Sequence, residues 1–99
     1  MKNLIWYLIA GTKGGETRGK IIGFLEKRPS NANKIAKSLK LDYKTVRHHI
    51  AILENNKIIY GINKGKYGAV FFLTEEMRAN MAVFEEIREQ FGYKFGKSK

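Results

Sequence analysis

The chain has 99 residues, no cysteine, and 19 Lys and Arg against 9 Asp and Glu, which gives a formal net charge of +10. This length supports one domain with one modest core, and the lack of cysteine excludes disulfides, thiolate metal sites and thiol nucleophiles. A strong basic excess is typical of nucleic-acid-binding proteins, although it also suits general solubility or an acidic membrane surface. Residues 1–41 and 42–73 carry net charges of +7 and +3, whereas residues 74–99 are neutral. The excess therefore lies outside the C-terminal part.

The first predicted element is a short apolar segment within residues 1–10. Its run Leu4–Ala10 is too short to cross a bilayer, and no signal-peptide cleavage pattern follows, so we expect no membrane insertion and a cytoplasmic protein. Consecutive apolar positions leave helix and strand both open, and we favour a helix. After a glycine-rich turn at Gly11–Gly15, a second helix is predicted over Thr17–Lys27 and ends at Arg28-Pro29. Its inward side chains are Ile21, Ile22, Phe24 and Leu25.

Two closely spaced helices follow. The first covers roughly Ala32–Leu39 and is capped by Ser30 or Asn31, and the second covers about 42–55 with Asp42 as its N-cap. At 100° per residue the second helix separates two faces. Val46, Ile50 and Leu53 form a narrow apolar stripe, whereas Lys44, Arg47, His48 and Ala51 lie on the opposite side. One face is predicted to pack and the other to remain exposed.

The segment after this helix has the pattern of a β-hairpin followed by a final helix. Two strand-like runs, Ile58–Asn63 and Ala69–Thr74, are separated by glycines suited to a hairpin loop. Thr74 and the two glutamates after it are a helix-start signal, and the last helix is predicted over 75–91. We expect one mainly α fold with a small β-hairpin (α+β), in the order α-α-α-α-β-β-α, over residues 1–91. Residues 92–99 are expected to form a basic flexible tail.

The run Thr45–Ile59 (TVRHHIAILENNKII) resembles the recognition-helix signature of ArsR-like winged helix-turn-helix regulators. Gly15–Leu25 (GETRGKIIGFL) is similar to the first core helix of the same group, especially of its small archaeal members. The resemblance implies a dimeric DNA-binding transcription regulator with a wing at 58–74. That family usually has Gly where this chain has Lys57, so Asn56 is expected to adopt the left-handed turn. The family's Cys-x-Cys and His/Asp metal clusters are missing, so metal sensing is not carried over.

Candidate DNA contacts come from three elements. On the recognition helix, Arg47 suits a guanine edge in the major groove, and its neighbours suit phosphates or mixed contacts. The start of the preceding helix could hold phosphates, and the wing tip could reach the DNA backbone or the minor groove. The lysines of both elements could instead be solvated and make no contact with DNA. Tyr43 could instead flank the core. The full set is Asn33, Lys34, Lys37, Tyr43, Lys44, Thr45, Arg47, His48, Lys64, Lys66 and Tyr67.

The two histidines are assigned different roles. His48 lies on the exposed face, whereas His49 lies nearer the apolar stripe and is predicted to have a structural role with a satisfied ring nitrogen. Neighbours on a helix point about 100° apart and no third ligand is evident, so we predict no metal site. No cofactor is expected.

The final helix carries more apolar side chains than are needed to cover the core of a small DNA-binding domain. We expect the surplus to pack on the first helix, on a second chain, or on both in a homodimer, with residues 1–10 and 75–91 as dimerisation helices. Arg88 interrupts this stripe and needs an acid such as Glu85. The predicted dimer interface is Leu4, Ile5, Leu8, Met77, Met81, Phe84, Ile87 and Phe91.

Double-stranded DNA is the expected partner, bound sequence-specifically. The alternatives are a winged helix that binds RNA or a protein, and a non-specific architectural DNA-binding protein. An enzyme is not expected, because no nucleophile elbow or complete P-loop is present. The sequence identifies neither an operator nor a small-molecule effector.

Overall fold

The computed structural model describes residues 1–63 and 68–91 and contains six helices and three strands over those ranges. In chain order they are α1 Lys2–Ala10, α2 Gly15–Lys27, β1 Ser30–Asn31, α3 Ala32–Leu39, α4 Tyr43–Asn55, β2 Ile59–Ile62, β3 Val70–Leu73, α5 Glu75–Ala79 and α6 Met81–Phe91. The predicted helix at the start of the chain, the two closely spaced helices and the hairpin are confirmed. The predicted wing-tip contacts Lys64, Lys66 and Tyr67, and the predicted tail 92–99, lie outside the described residues.

The core has the positions that helical periodicity predicts. Ile21, Leu25, Val46 and Leu53 have no exposed surface, and Ile50 is 2% exposed. They are joined by side chains from the inner face of the sheet and from α1, α5 and α6 in one continuous apolar cluster. The exception among the predicted inward side chains of α2 is Phe24, which is only partly buried.

Local capping sets the helix starts. The Asn31 side chain accepts from the Lys34 amide at 2.8 Å, and the Asp42 carboxylate accepts from the Thr45 amide at 3.2 Å. Thr74 accepts from the Met77 amide at 3.0 Å in the same way. Each cap satisfies an amide that has no partner inside its own helix. Asn31, of the two predicted candidates, is therefore the cap of α3.

The sheet contains a strand that local pattern did not indicate. β3 pairs antiparallel with β2 on one side and with the short β1 on the other, which gives the order β1-β3-β2. In the register of the second pair, Ser30 lies opposite Phe71 and Asn31 opposite Val70. A two-residue strand carries no readable alternation, so only the long-range pairing defines it. It ties the N-terminus of α3 to the base of the wing.

The predicted single helix over 75–91 is wrong in one respect, because it is interrupted at Asn80. The side-chain amide of Asn80 donates to the Glu76 carbonyl at 2.9 Å, and its backbone amide donates to the Met77 carbonyl at 2.9 Å. The side chain thus occupies the acceptor that a continuous α-helix would use for that backbone amide. The chain turns there and restarts as α6.

The expectation that Asn56 adopts the left-handed turn after α4 is also wrong. Lys57 has φ +62°, whereas Asn56 has φ −99° and its side-chain amide donates to the Ile52 carbonyl at 2.9 Å. The helix ends with two hydrogen bonds, in which the amide of Lys57 donates to the Glu54 carbonyl and the amide of Ile58 donates to the Leu53 carbonyl. Ile58 is 1% exposed, and this burial fixes the chain direction at the residue that follows the turn.

The final helix packs on the first helix within the same chain. This confirms one of the two alternatives for its surplus apolar surface. Arg88 makes ion pairs of 2.6 Å with Glu85, as expected, and of 2.7 Å with Glu26 of α2, and its guanidinium lies 4.7 Å from the centre of the Phe84 ring. Five of the predicted interface residues are buried in the single chain, which narrows the predicted dimer contact to Leu4, Met81 and Phe91. The buried five are Ile5, Leu8, Met77, Phe84 and Ile87.

Candidate nucleic-acid interface

The outer face of α4 is exposed along its length. Lys44, Thr45, Arg47 and His48 are all exposed, while Val46, between them in sequence, has no exposed surface. Because the apolar stripe is fixed in the core, this polar face cannot rotate away from solvent. It presents four side chains able to hydrogen bond, and two of them, Lys44 and Arg47, are cations.

The turn before α4 positions this face. Lys40 ends α3 in the left-handed conformation, with φ +58°, and the amide of Leu41 donates to the Ala36 carbonyl at 2.9 Å. Asp42 then caps α4 directly. A non-glycine residue in this conformation costs about 1 kcal/mol or more. The compact turn therefore depends on packing of both helices rather than on local preference.

A notch between α3, α4 and the wing gathers three of the predicted contacts. Asn33, Tyr43 and Arg47 line it together with Gly68 and Ala69 at the base of β3. Tyr43 is 47% exposed, so it lies at this surface rather than in the core. Arg47 also lines the adjoining groove between α4 and the sheet. This places a guanidinium at the junction of the exposed helix face and the wing.

The two predicted phosphate ligands on α3 are exposed. Lys34 and Lys37 project from the described surface, and the start of their helix is held by the Asn31 cap and by β1. The predicted contacts on α3 and α4 therefore belong to one body, because α3 packs on α4 and main-chain pairing of β1 with β3 joins α3 to the sheet. Such rigidity reduces the entropy lost when a partner is bound.

Sequence reasoning missed one polar cluster under this surface. Arg18 of α2 is 4% exposed and donates through Nη1 to Nδ1 of His49 at 3.1 Å. His49 is 8% exposed, so its structural placement with a bonded ring nitrogen agrees with the prediction. Arg18 precedes Ile21 and Ile22 by three and four residues, and this helical spacing was the available signal that it faces the core.

Burial lowers the pKa of both groups. Burial lowers the pKa of His49, and the positive charge of Arg18 and the neighbouring His48 lower it further. Burial also lowers the pKa of Arg18, while Tyr7 acts in the opposite sense. The neutral imidazole is the favoured form, as the hydrogen bond accepted at Nδ1 requires.

Residues 15–60 match the model of the bacterial regulatory protein family arsR. They span α2, the helix pair and the first strand of the wing. The part of the chain that carries the helix pair is therefore similar to the arsR family, and the architecture is that of a winged helix-turn-helix. No curated protein matches it in sequence.

Solved structures share this architecture. The Zalpha domain of PKZ from Carassius auratus, solved in complex with Z-DNA, is 34% identical and has a TM-score of 0.53, with 60% of this chain and 97% of that chain covered. The transcriptional regulator YodB from B. subtilis is 23% identical, with a TM-score of 0.67 and coverage of 84% and 81%. The homodimeric winged helix-turn-helix DNA-binding domain of Mb0332 from Mycobacterium bovis is 14% identical, with a TM-score of 0.66 and coverage of 80% and 72%. The last two likenesses show the fold alone.

No helix within residues 1–63 and 68–91 combines the length and apolar character needed to cross a bilayer. Over the same ranges, no group of three or more His, Asp or Glu side chains is arranged to hold a metal ion.

Proposed function

We propose that this ArsR-like protein binds double-stranded DNA sequence-specifically as a transcription regulator of the cytoplasm. The observation that carries the proposal is the polar face of α4, which is exposed opposite a fully buried stripe. An α-helix with such a face fits the major groove, where Arg is suited to the two acceptors of guanine. The match of residues 15–60 to a family of regulatory proteins supports this role over an enzymatic one.

In the proposed complex, α4 lies in the major groove and the neighbouring elements hold the backbone. Lys34 and Lys37 on α3 would contact phosphates, as would the lysines predicted at the wing tip. Each neutralised phosphate releases counterions, so affinity should fall with a log–log salt slope of about −0.9 per phosphate. These contacts fix the position of α4, and Arg47 with its neighbours supplies base preference.

We further propose a homodimer that places two α4 helices in successive major grooves about 34 Å apart. Leu4, Met81 and Phe91 are partly buried residues of α1 and α6, and Tyr7 on α1 is 60% exposed. These helices are the proposed contact between chains. The homodimeric state of the Mycobacterium bovis domain, which shares the fold, supports this arrangement.

Selection from a pool of random duplexes, followed by sequencing, tests the proposal. Enrichment of an inverted repeat with half-sites about one helical turn apart is expected. Arg47→Ala should relax base preference by about 1–3 kcal/mol at one position, and Arg78→Ala, which removes an exposed arginine of α5 far along the chain, serves as the matched control. If Arg47→Ala keeps the wild-type preferred sequence and affinity, α4 is not the helix that contacts bases in the major groove.

Left-handed DNA is a second candidate ligand, favoured by one specific likeness. The Carassius auratus domain bound to Z-DNA is 34% identical and almost all of it is covered by this chain. Circular dichroism of an alternating CG duplex during titration with the protein tests it. Inversion of the spectrum would support the second candidate, and an unchanged B-form spectrum with tight binding would support groove reading of ordinary duplex.

A further inference from the structure

The buried guanidinium of Arg18 connects three parts of the fold. Its Nε donates to the Leu8 carbonyl near the end of α1 at 2.8 Å. Its Nη2 donates to Thr12 Oγ1 at 2.6 Å and to the Lys13 carbonyl at 3.1 Å in the turn between α1 and α2. Its Nη1 contacts Nδ1 of His49 on α4 at 3.1 Å. One side chain thereby joins the first helix and its turn to the helix that carries the exposed polar face.

The Arg18–His49 contact has a defined protonation requirement. A guanidinium only donates, so Nδ1 of His49 must accept and the ring must be neutral with its proton on Nε2. The other three groups that accept from Arg18 are neutral oxygens, so no carboxylate takes part in these hydrogen bonds. Protonation of the ring would remove the acceptor and place two cations in contact.

The charged and titratable groups around this contact come from three helices. Tyr7 of α1 raises the pKa of Arg18, and His48 of α4 lowers the pKa of His49. The centres of the two imidazole rings are 5.1 Å apart, in an edge arrangement. His48 is exposed on the polar face itself. Consecutive residues of one rigid helix therefore link the buried contact to the proposed DNA surface.

We propose that Arg18 and His49 are positioning residues for DNA binding, which hold α4 in its reading orientation while His49 is neutral and release it on acidification. The proposal rests on the proposed DNA-binding function. The free chain then has a closed state, in which the contact is made, and an open state, in which a charged imidazole is tolerated. DNA that binds only the closed state is bound more weakly as protonation populates the open one.

The sign of the pH effect distinguishes this from ordinary charge attraction. Burial and Arg18 lower the pKa of His49 in the closed state, so the closed state is favoured above the ordinary histidine range, and this preference is lost as the pH falls from that range through the lowered pKa. A positive charge gained at the exposed surface would strengthen DNA binding instead, so a loss of affinity on acidification points to the buried contact.

The test measures affinity for a selected duplex between about pH 8 and about pH 5.5 at constant ionic strength. The wild type should lose about tenfold in affinity for each unit by which the closed and open states differ in the pKa of His49. His49→Asn offers an amide oxygen near the position of Nδ1 and cannot be protonated, so its affinity should not fall on acidification. His48→Asn is the matched control on the adjacent position, and the loss should persist in it.

Either of two binding results would overturn the proposal: a wild-type affinity that is level or rises on acidification, or a loss that survives in His49→Asn. If His49→Asn does not fold, Arg18→Met provides a second test, because it removes the donor and the facing cation while keeping His49. The acid-dependent loss should then be abolished, and its persistence would equally count against the pair.

Measurements on the free protein separate the failure of this proposal from the failure of the proposed function. The His49 pKa and hydrogen exchange of the α4 amides are followed by NMR over the same pH range. Weaker protection of the α4 amides as His49 protonates, after correction for the slower intrinsic exchange at lower pH, is expected even if the chain binds no duplex at any pH, which would refute DNA binding alone. Protection in α4 that does not change with His49 protonation would refute the positioning pair while leaving DNA binding standing.

Discussion

The same substitution at two glycines of α2 should have opposite effects on stability. Gly15 begins this helix where it passes close to the end of α1, and a Cβ at that position would lie 1.8 Å from the Ile9 carbonyl oxygen and 2.5 Å from its carbon. Gly23 lies in the helix interior, and a Cβ there would meet only Arg88 Nη1, at 3.8 Å. The first contact is a backbone clash and the second is ordinary van der Waals distance.

The expected magnitudes follow from these distances. In Gly15→Ala the end of α1 must move away by more than about 1 Å, and overpacking of this kind costs about 1–3 kcal/mol or more when backbone has to shift. An alanine in a helix returns at most about 0.5–1 kcal/mol. We expect a net loss of about 2 kcal/mol for Gly15→Ala and a gain of about 0.5–1 kcal/mol for Gly23→Ala.

Thermal unfolding followed by far-ultraviolet circular dichroism measures both variants against the wild type. A change of 1 kcal/mol should move the Tm by about 4–8 °C in a domain of this size, so the two variants should be well separated. Gly15→Ala with wild-type stability would show that α1 does not approach α2 as closely as described. A destabilised Gly23→Ala would refute the conclusion that a Cβ at Gly23 makes no unfavourable contact.

Three further outcomes are expected. Asn31→Ala should lower the free energy of unfolding by about 1 kcal/mol, because it removes the 2.8 Å capping hydrogen bond from the Lys34 amide. Ser38→Ala, on the exposed face of the same helix, should change it little, and equal effects in the two variants would show that the cap does not contribute. Arg88→Met should cost about 1–2 kcal/mol by urea unfolding, less than a fully buried pair because Glu85 is 47% exposed, and an unchanged midpoint would mean that its ion pairs contribute nothing net. Sedimentation should show Tyr7→Glu as a monomer and Lys2→Glu, at an exposed position about 140° around α1 from Tyr7, as a dimer; an intact Tyr7→Glu dimer would remove this face of α1 from the contact.

Helix α4 shows how much of the structure can be predicted from local sequence pattern. Its cap, its buried stripe and its exposed face all follow from residue types spaced three or four positions apart, and the structure places Asp42, Val46 and Arg47 accordingly. The same reasoning predicted the acid that pairs with Arg88 one turn away but not Glu26, which lies 62 residues distant. Contacts within one helical turn are encoded by spacing, whereas contacts between elements depend on how those elements pack.

Where two local preferences compete, sequence pattern alone did not decide between them. Asn56 has the better intrinsic tolerance for a left-handed turn, yet Lys57 adopts it because the buried Ile58 fixes where the chain must go. Asn80 lies within a helical apolar pattern, yet its side chain takes a main-chain acceptor and breaks the helix. In both cases the energy of burying or bonding a neighbour exceeds a backbone preference of about 1 kcal/mol.

Local sequence pattern was enough to predict the first four helices, the hairpin, the basic excess and the resemblance to winged helix regulators, since these depend on periodicity, caps and composition over short stretches. Tertiary structure decided that β1 ties α3 to the wing, that five apolar residues of the predicted dimer contact belong to the core, and that Arg18 holds His49 from 31 residues away. These features arise from groups brought together only when the helices pack, and the free energy of burial that selects them is a property of the whole core rather than of any segment.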